Sequence, residues 1–279
     1  MKRLLSIELQ KIWQNRASRI LTLTYFILLS SVALIASINF NFVGIDFRMA
    51  DMGIFNFPFI WHFNTYMASI LKFFLAVIIV SMMANEYSYG TLKQNLIDGL
   101  SKKEFILSKF FTVFLFAILS CIYVFIMTLI LGYSFSSYTE STIVFSDLEY
   151  LLAYFIKLVA FFSFCLFLGI LVKRSAFAIG FLFLWYVVEG IIGGLLRITI
   201  FSSSEQVDKI KAFFPLESMA NLIKEPVTRF QAYKAIENQV SGGSVAKDYS
   251  VHLTEIAIVI VWTVIFMLMS YKILKKRDL

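Results

Sequence analysis

The chain has 279 residues, of which 59% are hydrophobic and only 15% are charged, and its mean hydropathy is +0.81. This composition leaves too little polar surface to cover a water-soluble globule of that length, so it excludes a soluble globular protein and indicates an integral membrane protein. The net charge of +7 then reflects orientation in the membrane and attraction to anionic lipid headgroups, and it does not imply a nucleic-acid partner.

Six apolar runs are long enough to cross a hydrocarbon core of about 30 Å as helices of roughly 20 residues each. The predicted fold is therefore all-α and not a β-barrel, whose strands would be segments of about 10 residues with a period of two. The predicted spans cover residues 17–38, 58–83, 105–133, 150–172, 176–200 and 251–273 of a single transmembrane domain, 1–279.

Residues 1–15 precede the first span and place Leu5, Leu9, Ile12 and Trp13 on one helical face. This pattern predicts an amphipathic helix that lies in the membrane interface. A cleaved signal peptide is the alternative for the first apolar run, but the run fills a whole bilayer instead of a short apolar core.

The distribution of lysine and arginine predicts the orientation. Fifteen of them lie in the segments 1–19, 93–109, 173–174 and 272–277, whereas the short connections on the other side contain only Arg48. Because basic residues concentrate in short cytoplasmic segments, we expect both termini on the cytoplasmic side.

The long polar segment 201–250 is then extracytoplasmic, because a segment of this length crosses the membrane largely regardless of its charge. It contains two candidate short helices, one that begins at Pro215 and one over 227–240. The sequence leaves open whether they lie on the membrane or form a lid.

Enzymatic and metal-binding motifs are missing from the sequence. No glycine is followed by lysine, so there is no phosphate-binding loop of the Walker type. Cys121, Cys165, His62 and His252 have no companions at ligand spacing, and they are expected to be structural. We therefore expect no cofactor on this chain and no catalytic activity of its own.

Charge inside a span is costly and commonly functional, and four ionisable residues inside the predicted spans are candidates for such a role. They are Lys72, Lys157, Glu189 and Arg197. By helical rise Glu189 lies between the depths of Lys157 and Lys72, so it is predicted to pair with either one in a charge network or transport path. A purely structural ion pair is the alternative, and Arg197 is close enough to the outer end of its span to reach the interface.

One polar segment, 85–109, separates the second and third spans. Within it Gly90 permits a turn, a short helix is predicted over Lys93–Leu100, and leucines recur every four residues as a docking stripe. The stripe consists of Leu92, Leu96 and Leu100, with Lys93, Asn95 and Asp98 beside it for polar contacts and Glu86 and Lys102 as flanking anchors. An ordinary interfacial helix is the alternative.

The order of features in this segment resembles the ABC-2 type permeases of ATP-binding-cassette exporters. The features are Glu86 just past the second span, then Gly90-Thr91-Leu92, a short helix, and Ser101 to Phe105 at the start of the third span. The resemblance implies a coupling helix that docks on a separate ATPase subunit, which would bind ATP and Mg. It also implies a second permease copy or a related permease, the cytoplasmic membrane of a bacterium, and a transport path along the second and fifth spans.

A self-sufficient secondary transporter or channel is the competing hypothesis, with Glu189, Lys72 and Lys157 as an ion or proton relay. It predicts inverted repeats and interrupted helices, which the sequence does not display. The substrate stays open at this point.

Overall fold

A computed structural model describes residues 2–42, 45–48, 53–199, 204–226, 229 and 248–277. The predicted outer helix over 227–240 lies outside the described residues apart from residue 229. Within the described part the elements, in chain order, are α1 Lys2–Gln14, α2 Arg16–Ser37, β1 Asn39–Phe42, β2 Ile45–Arg48, α3 Phe59–Ser88, α4 Thr91–Ile97, α5 Lys102–Phe135, α6 Ser141–Val144, α7 Glu149–Val172, α8 Ser175–Thr199, α9 Ser204–Lys211, α10 Pro215–Asn221 and α11 Leu253–Lys276.

The protein is helical, with a single short hairpin among the described residues, in which Asn39 pairs with Arg48. Five helical segments are long and apolar enough to cross a membrane, which confirms the transmembrane character and the multi-pass fold. They are Phe59–Ser88, Lys102–Phe135, Ser141–Val172, Ser175–Ile198 and Leu253–Lys276.

The predicted first span, 17–38, coincides with α2, which is not among these five segments. Helix α2 is 22 residues long and carries Arg16 and Arg19 in its first turn. Six spans therefore remain a prediction.

Helix α7 lies at the centre of the bundle, in contact with α3, α5, α8, α10 and α11. In its most apolar stretch 78% of the residues are buried, compared with 17% in α8 and in α11. Gly169 permits the close approach of α3, because a Cβ there would lie 3.0 Å from the Cβ of Met83 and 3.3 Å from the carbonyl oxygen of Val80. Helices α8 and α11 consequently present most of their apolar side chains to the surroundings.

A cluster of hydroxyl groups joins three helices inside the bundle. Tyr154 on α7 bonds Tyr25 on α2 at 2.8 Å and Ser120 on α5 at 2.7 Å, and Tyr25 and Ser120 also bond each other. Each of these three hydroxyls has a partner, so their burial leaves no polar atom of the cluster unsatisfied.

Candidate functional site

The segment between the second and third predicted spans folds into the short helix α4, bracketed by glycines. Gly90 has φ +68° and Gly99 has φ +96°, a left-handed conformation that glycine adopts without steric cost. Helix α4 occupies Thr91–Ile97, so it begins two residues earlier and ends three residues earlier than predicted, and Leu100 lies beyond its end. Ser101 then caps α5 in a reciprocal capping box with Glu104.

A buried cluster of four charged residues, which we call the four-charge cluster, lies next to α4. It consists of Glu8 and Lys11 from α1, Glu86 from α3 and Lys109 from α5. The Lys109 ammonium lies 2.5 Å from a Glu8 oxygen and 2.6 Å from a Glu86 oxygen, and Lys11 lies 2.9 Å from Glu86. Two positive and two negative charges balance, so the cluster is neutral as a unit.

Burial differs between the two lysines of the cluster. The Lys109 side chain is 1% exposed, whereas that of Lys11 is 39% exposed. Burial alone would lower the pKa of Lys11, but the carboxylates of Glu8 and Glu86 outweigh it and raise the pKa above its ordinary value. Lys11 therefore stays protonated at neutral pH.

The four-charge cluster is bonded directly to α4. The Thr91 hydroxyl, on the first residue of α4, donates to a Glu86 carboxylate oxygen at 2.5 Å. Glu86 was predicted to be a flanking anchor for a partner, but only 3% of it is exposed, because its carboxylate faces Lys109 and Thr91 inside the protein. Glu86 joins α4 to α1, α3 and α5, and its role as an anchor for a partner stays a prediction.

The leucine stripe of α4 also faces inward. Leu92 is 1% exposed, and Leu96 and Leu100 are partly buried against the main core of this chain. The accessible side is a different one, because Ile97 at the end of α4 is 75% exposed, as is Tyr89 in the turn before α4. The polar side chains exposed with them are Lys93, Gln94 and Asp98, whereas Asn95 is half-buried.

Lys102 contacts the end of the chain. Its ammonium donates to the carbonyl oxygens of Arg277 at 2.9 Å and Lys275 at 3.4 Å. Arg277 in turn donates to the Tyr87 hydroxyl at 3.0 Å and to the carbonyl oxygen of Ile170 at 2.5 Å. Lys102 therefore attaches α5 to the C-terminal segment and does not extend the accessible face of α4.

Glu189 does not form the predicted ion pair with Lys72 or Lys157. Its carboxylate accepts hydrogen bonds from the indole of Trp185 at 2.7 Å and from the backbone N–H groups of Leu216 and Glu217, each at 3.1 Å. These two N–H groups open α10, where a negative charge is favourable. A carboxylate in α8 therefore holds the short helix α10 in place.

The structure brings Lys72 and Lys157 to one cavity and places Arg197 beside another. Lys72 and Lys157 line a cavity of about 350 Å³ between α3, α7, α8 and α10. Arg197 and Glu189 line a neighbouring cavity of about 200 Å³, and Arg197 lies 3.8 Å from Asp208 in a pair with both side chains 61% exposed. The four predicted intramembrane charges thus form two separate groups.

No three histidine, cysteine or acidic residues lie together as metal ligands in the part of the chain that the structure describes. His62 stacks on Tyr150 with ring centroids 4.3 Å apart and bonds the carbonyl oxygen of Lys224 at 2.7 Å. Arg229 bonds its other ring nitrogen at 3.0 Å. His62 therefore contributes to packing at one end of the bundle.

Sequence reasoning missed Glu8, Lys11 and Lys109 as site residues. Lys109 follows the apolar pair Phe105 and Ile106 by one helical turn, and this placement of a charge on an apolar helix face was the available signal. The partners Glu8 and Lys109 are 101 residues apart, so no local pattern could pair them.

A family model described as "Protein of unknown function (DUF2705)" matches residues 25–279. The chain belongs to this family. The matched residues include Glu86, Thr91 and Lys109, whereas Glu8 and Lys11 precede them. No curated protein matches the chain.

Proposed function

We propose that this chain is the membrane-spanning permease subunit of an ABC-2 type exporter, in which α4 is the coupling helix that docks on a separate ATPase subunit. The observation that carries the proposal is the bond from Thr91 through Glu86 to Lys109, which ties the first residue of α4 to α1, α3 and α5. A helix of seven residues is too short to be stable alone, so these contacts fix its direction.

The same contacts suit the transmission of force. The partner ATPase binds ATP and Mg, and its closure pushes on α4. Because α4 is bonded through Glu86 to helices on three sides, a displacement of α4 moves α1, α3 and α5 together. Two permease copies, or one copy with a related permease, would switch between inward- and outward-facing states in this way.

The exposed residues of α4 and of the turns on either side of it supply a docking surface of mixed chemistry. Tyr89 and Ile97 provide exposed apolar area, and Lys93 and Asp98 provide charges of both signs. Aromatic and aliphatic anchors inside a polar rim are typical of short helices that bind in a groove. This arrangement favours a protein partner over the alternative of a helix that only lies in the membrane interface.

The proposed location is the cytoplasmic membrane of a bacterium, with both termini and α4 inside. This orientation follows from the lysines and arginines of the sequence and puts α4 within reach of a cytoplasmic ATPase.

The relay hypothesis has less support. A relay needs ionisable groups within hydrogen-bonding reach of one another. The Glu189 carboxylate instead bonds Trp185, Leu216 and Glu217, and none of these contacts is with a lysine.

The test is co-purification of a Walker-type ATPase with the full chain from the native membrane. Ile97→Asp places a charge on a residue that is 75% exposed, so the fold tolerates it while a groove contact does not. We expect the amount of bound ATPase to fall about tenfold or more, as for an interface hot spot. The matched control Ile97→Val keeps an apolar side chain of similar shape and should bind normally.

Retention of the ATPase by Ile97→Asp together with Tyr89→Ala and Lys93→Glu would contradict docking through α4. Substrate transport by the purified chain alone in liposomes, driven by an ion gradient without any ATPase, would contradict the exporter assignment itself.

A further inference from the structure

The cavity between α3, α7, α8 and α10 has a volume of about 350 Å³ and contains two lysines. Lys72 lies at least about 20 Å along α3 from either end of that helix, and Lys157 lies about 12 Å from the start of α7. Both ammonium groups are consequently inside the membrane-spanning part of the molecule.

The two lysines have no carboxylate partner in the part of the chain that the structure describes. Among the described residues neither lysine has a carboxylate within 4.0 Å, and Lys157, which is 3% exposed, donates one long hydrogen bond of 3.4 Å to the carbonyl oxygen of Ala220. The Lys72 ammonium faces the ring of Phe161 at 4.6 Å from its centroid. A ring face compensates a buried charge less than a carboxylate does, so both lysines lower the stability of the unliganded protein.

The mouth of the cavity is apolar and open to the outside of the bundle. Its rim includes Ile70, Phe73, Phe183 and Tyr186, which are 50%, 36%, 57% and 64% exposed. The rings of Phe73 and Phe183 stack with centroids 6.0 Å apart, so two parallel aromatic rings stand at the rim. A molecule with an anionic head and an apolar tail fits this cavity, because its head can contact the two lysines while its tail lies on the apolar rim.

We propose that this cavity binds a phosphate-type anion between Lys72 and Lys157, and that the apolar rim selects an anionic lipid as its source. A phosphodiester carries one negative charge shared by two free oxygens, so it can accept hydrogen bonds from both lysines at once and offset part of their charge. The acyl chain would lie on Ile70, Phe73 and Phe183. The binding of this lipid does not depend on the proposed function. Only the further step, that the lipid is the exported cargo, rests on it.

The test uses the purified full chain in neutral detergent micelles, titrated in parallel with three probes. They are a short-chain phosphatidylglycerol, a phosphatidylcholine of the same chain length, and inorganic phosphate. We expect phosphatidylglycerol to raise Tm and to bind most tightly, because only it has both the unneutralised anionic head and the tail. Lys157→Gln and Lys72→Gln should each weaken its binding about tenfold, as expected when one hydrogen bond to a charged group is lost.

Lys103→Gln is the matched control, since Lys103 is exposed and lies far from the cavity on the first turn of α5. It should leave phosphatidylglycerol binding unchanged. Inorganic phosphate that binds as tightly as phosphatidylglycerol, with the same loss in the two lysine variants, would support the anion site and assign it to a soluble anion. Equal binding of phosphatidylcholine, or undiminished binding by the two variants, would overturn the proposal.

The Tm of the unliganded lysine variants distinguishes a ligand-binding role of the two lysines from a structural role. Removing an unpaired buried charge should raise the Tm of the unliganded chain, by about 2–4 °C for a protein of this size, while the rise in Tm on adding phosphatidylglycerol is lost. A lower Tm for both Lys157→Gln and Lys72→Gln would make the lysines structural and would also overturn the site. Neither readout involves an ATPase, so failure here leaves the docking of α4 untouched, and failure of docking leaves this site untouched.

Discussion

Lys109 and Lys11 contact the same two carboxylates, but their surroundings differ. The ammonium of Lys109 is closed off by Glu8, Glu86 and the ring of Phe105, whose centroid lies 5.1 Å away, whereas part of Lys11 faces solvent. The energetic weight of an ion pair depends on this difference, because water can replace a lost partner only at an exposed site.

We expect Lys109→Met to lower the free energy of unfolding by about 3–5 kcal/mol, because two buried carboxylates are left with a single half-exposed lysine between them. Lys11→Met is the matched control and should cost about 1 kcal/mol or less. Denaturant unfolding of both variants in the same detergent measures the difference. Equal losses would mean that Lys109 is not the buried centre of the four-charge cluster.

Glu189 shows that the sequence can predict the need of a buried charge for a partner but not which groups will be its partners. Its burial inside a span, and hence its need for compensation, follows from the sequence alone. Its actual partners are backbone N–H groups of Leu216 and Glu217, which every residue except proline possesses, so the sequence offered lysines as the more conspicuous choice. The prediction of an ion pair was wrong because helix ends also compensate charge.

At the scale of elements, the geometry of α4 depends on Gly90. A Cβ at this residue would have nothing within 4 Å, so the requirement for glycine comes from its φ of +68° and not from crowding. Gly180 in α8 has equally open space and an ordinary helical backbone, which makes it a natural comparison.

We expect Gly90→Ala to cost about 1–2 kcal/mol, the price of placing an L-residue in the left-handed region. The strain should displace the start of α4 and weaken the Thr91–Glu86 bond, so hydrogen exchange of the α4 amides should accelerate. Gly180→Ala should be neutral or slightly stabilising, because alanine favours helix. Unchanged α4 exchange in Gly90→Ala would show that the turn adopts another conformation at no cost.

The α4 segment also shows which part of an element can be predicted from a sequence. The glycine turn and the leucine spacing were enough to predict a short helix with one apolar face. They could not indicate what that face contacts, since Leu92 packs on its own chain and Ile97 is the residue left exposed. Periodicity identifies an apolar face, and only the tertiary structure decides whether the same chain or a partner covers it.

At the scale of the whole molecule, α5 sets the span of the protein. Its 34 residues extend for about 50 Å, which exceeds a hydrocarbon core of about 30 Å. The two ends of α5 must then emerge on opposite sides of the membrane. Asp98 lies just before α5, and Glu140 lies after it, and both are exposed.

We expect single cysteines at these two positions to label from opposite sides, in a background where Cys121 and Cys165 are replaced by serine. Asp98→Cys should react with a membrane-impermeant maleimide only in inverted vesicles, and Glu140→Cys only in intact cells, as the distribution of basic residues predicts. The reverse pattern would put α4 outside and contradict its docking on a cytoplasmic ATPase. Labelling of both from one side would contradict α5 as a span.

The apolar composition and the long runs predicted the helical, multi-pass character of the molecule, which the five segments confirm. The packing centre was not predictable in the same way. Helix α7 is as apolar as its neighbours, and what puts it in the middle is contact with five other helices, including the approach of α3 at Gly169. Such contacts depend on side-chain shape across helices, which no single segment encodes.

The ion pairs of the four-charge cluster are buried, so they are weakened less by ionic strength than the exposed charges beside them. Dissolved ions screen charges that face water and hardly reach a pair such as Lys109 and Glu86. Lys93 on α4 and Asp98 just after it are exposed, so dissolved ions can screen their charges. For the docking proposed above, concentrated salt should therefore weaken the contact of α4 with a partner while leaving its bonds to α1, α3 and α5 intact.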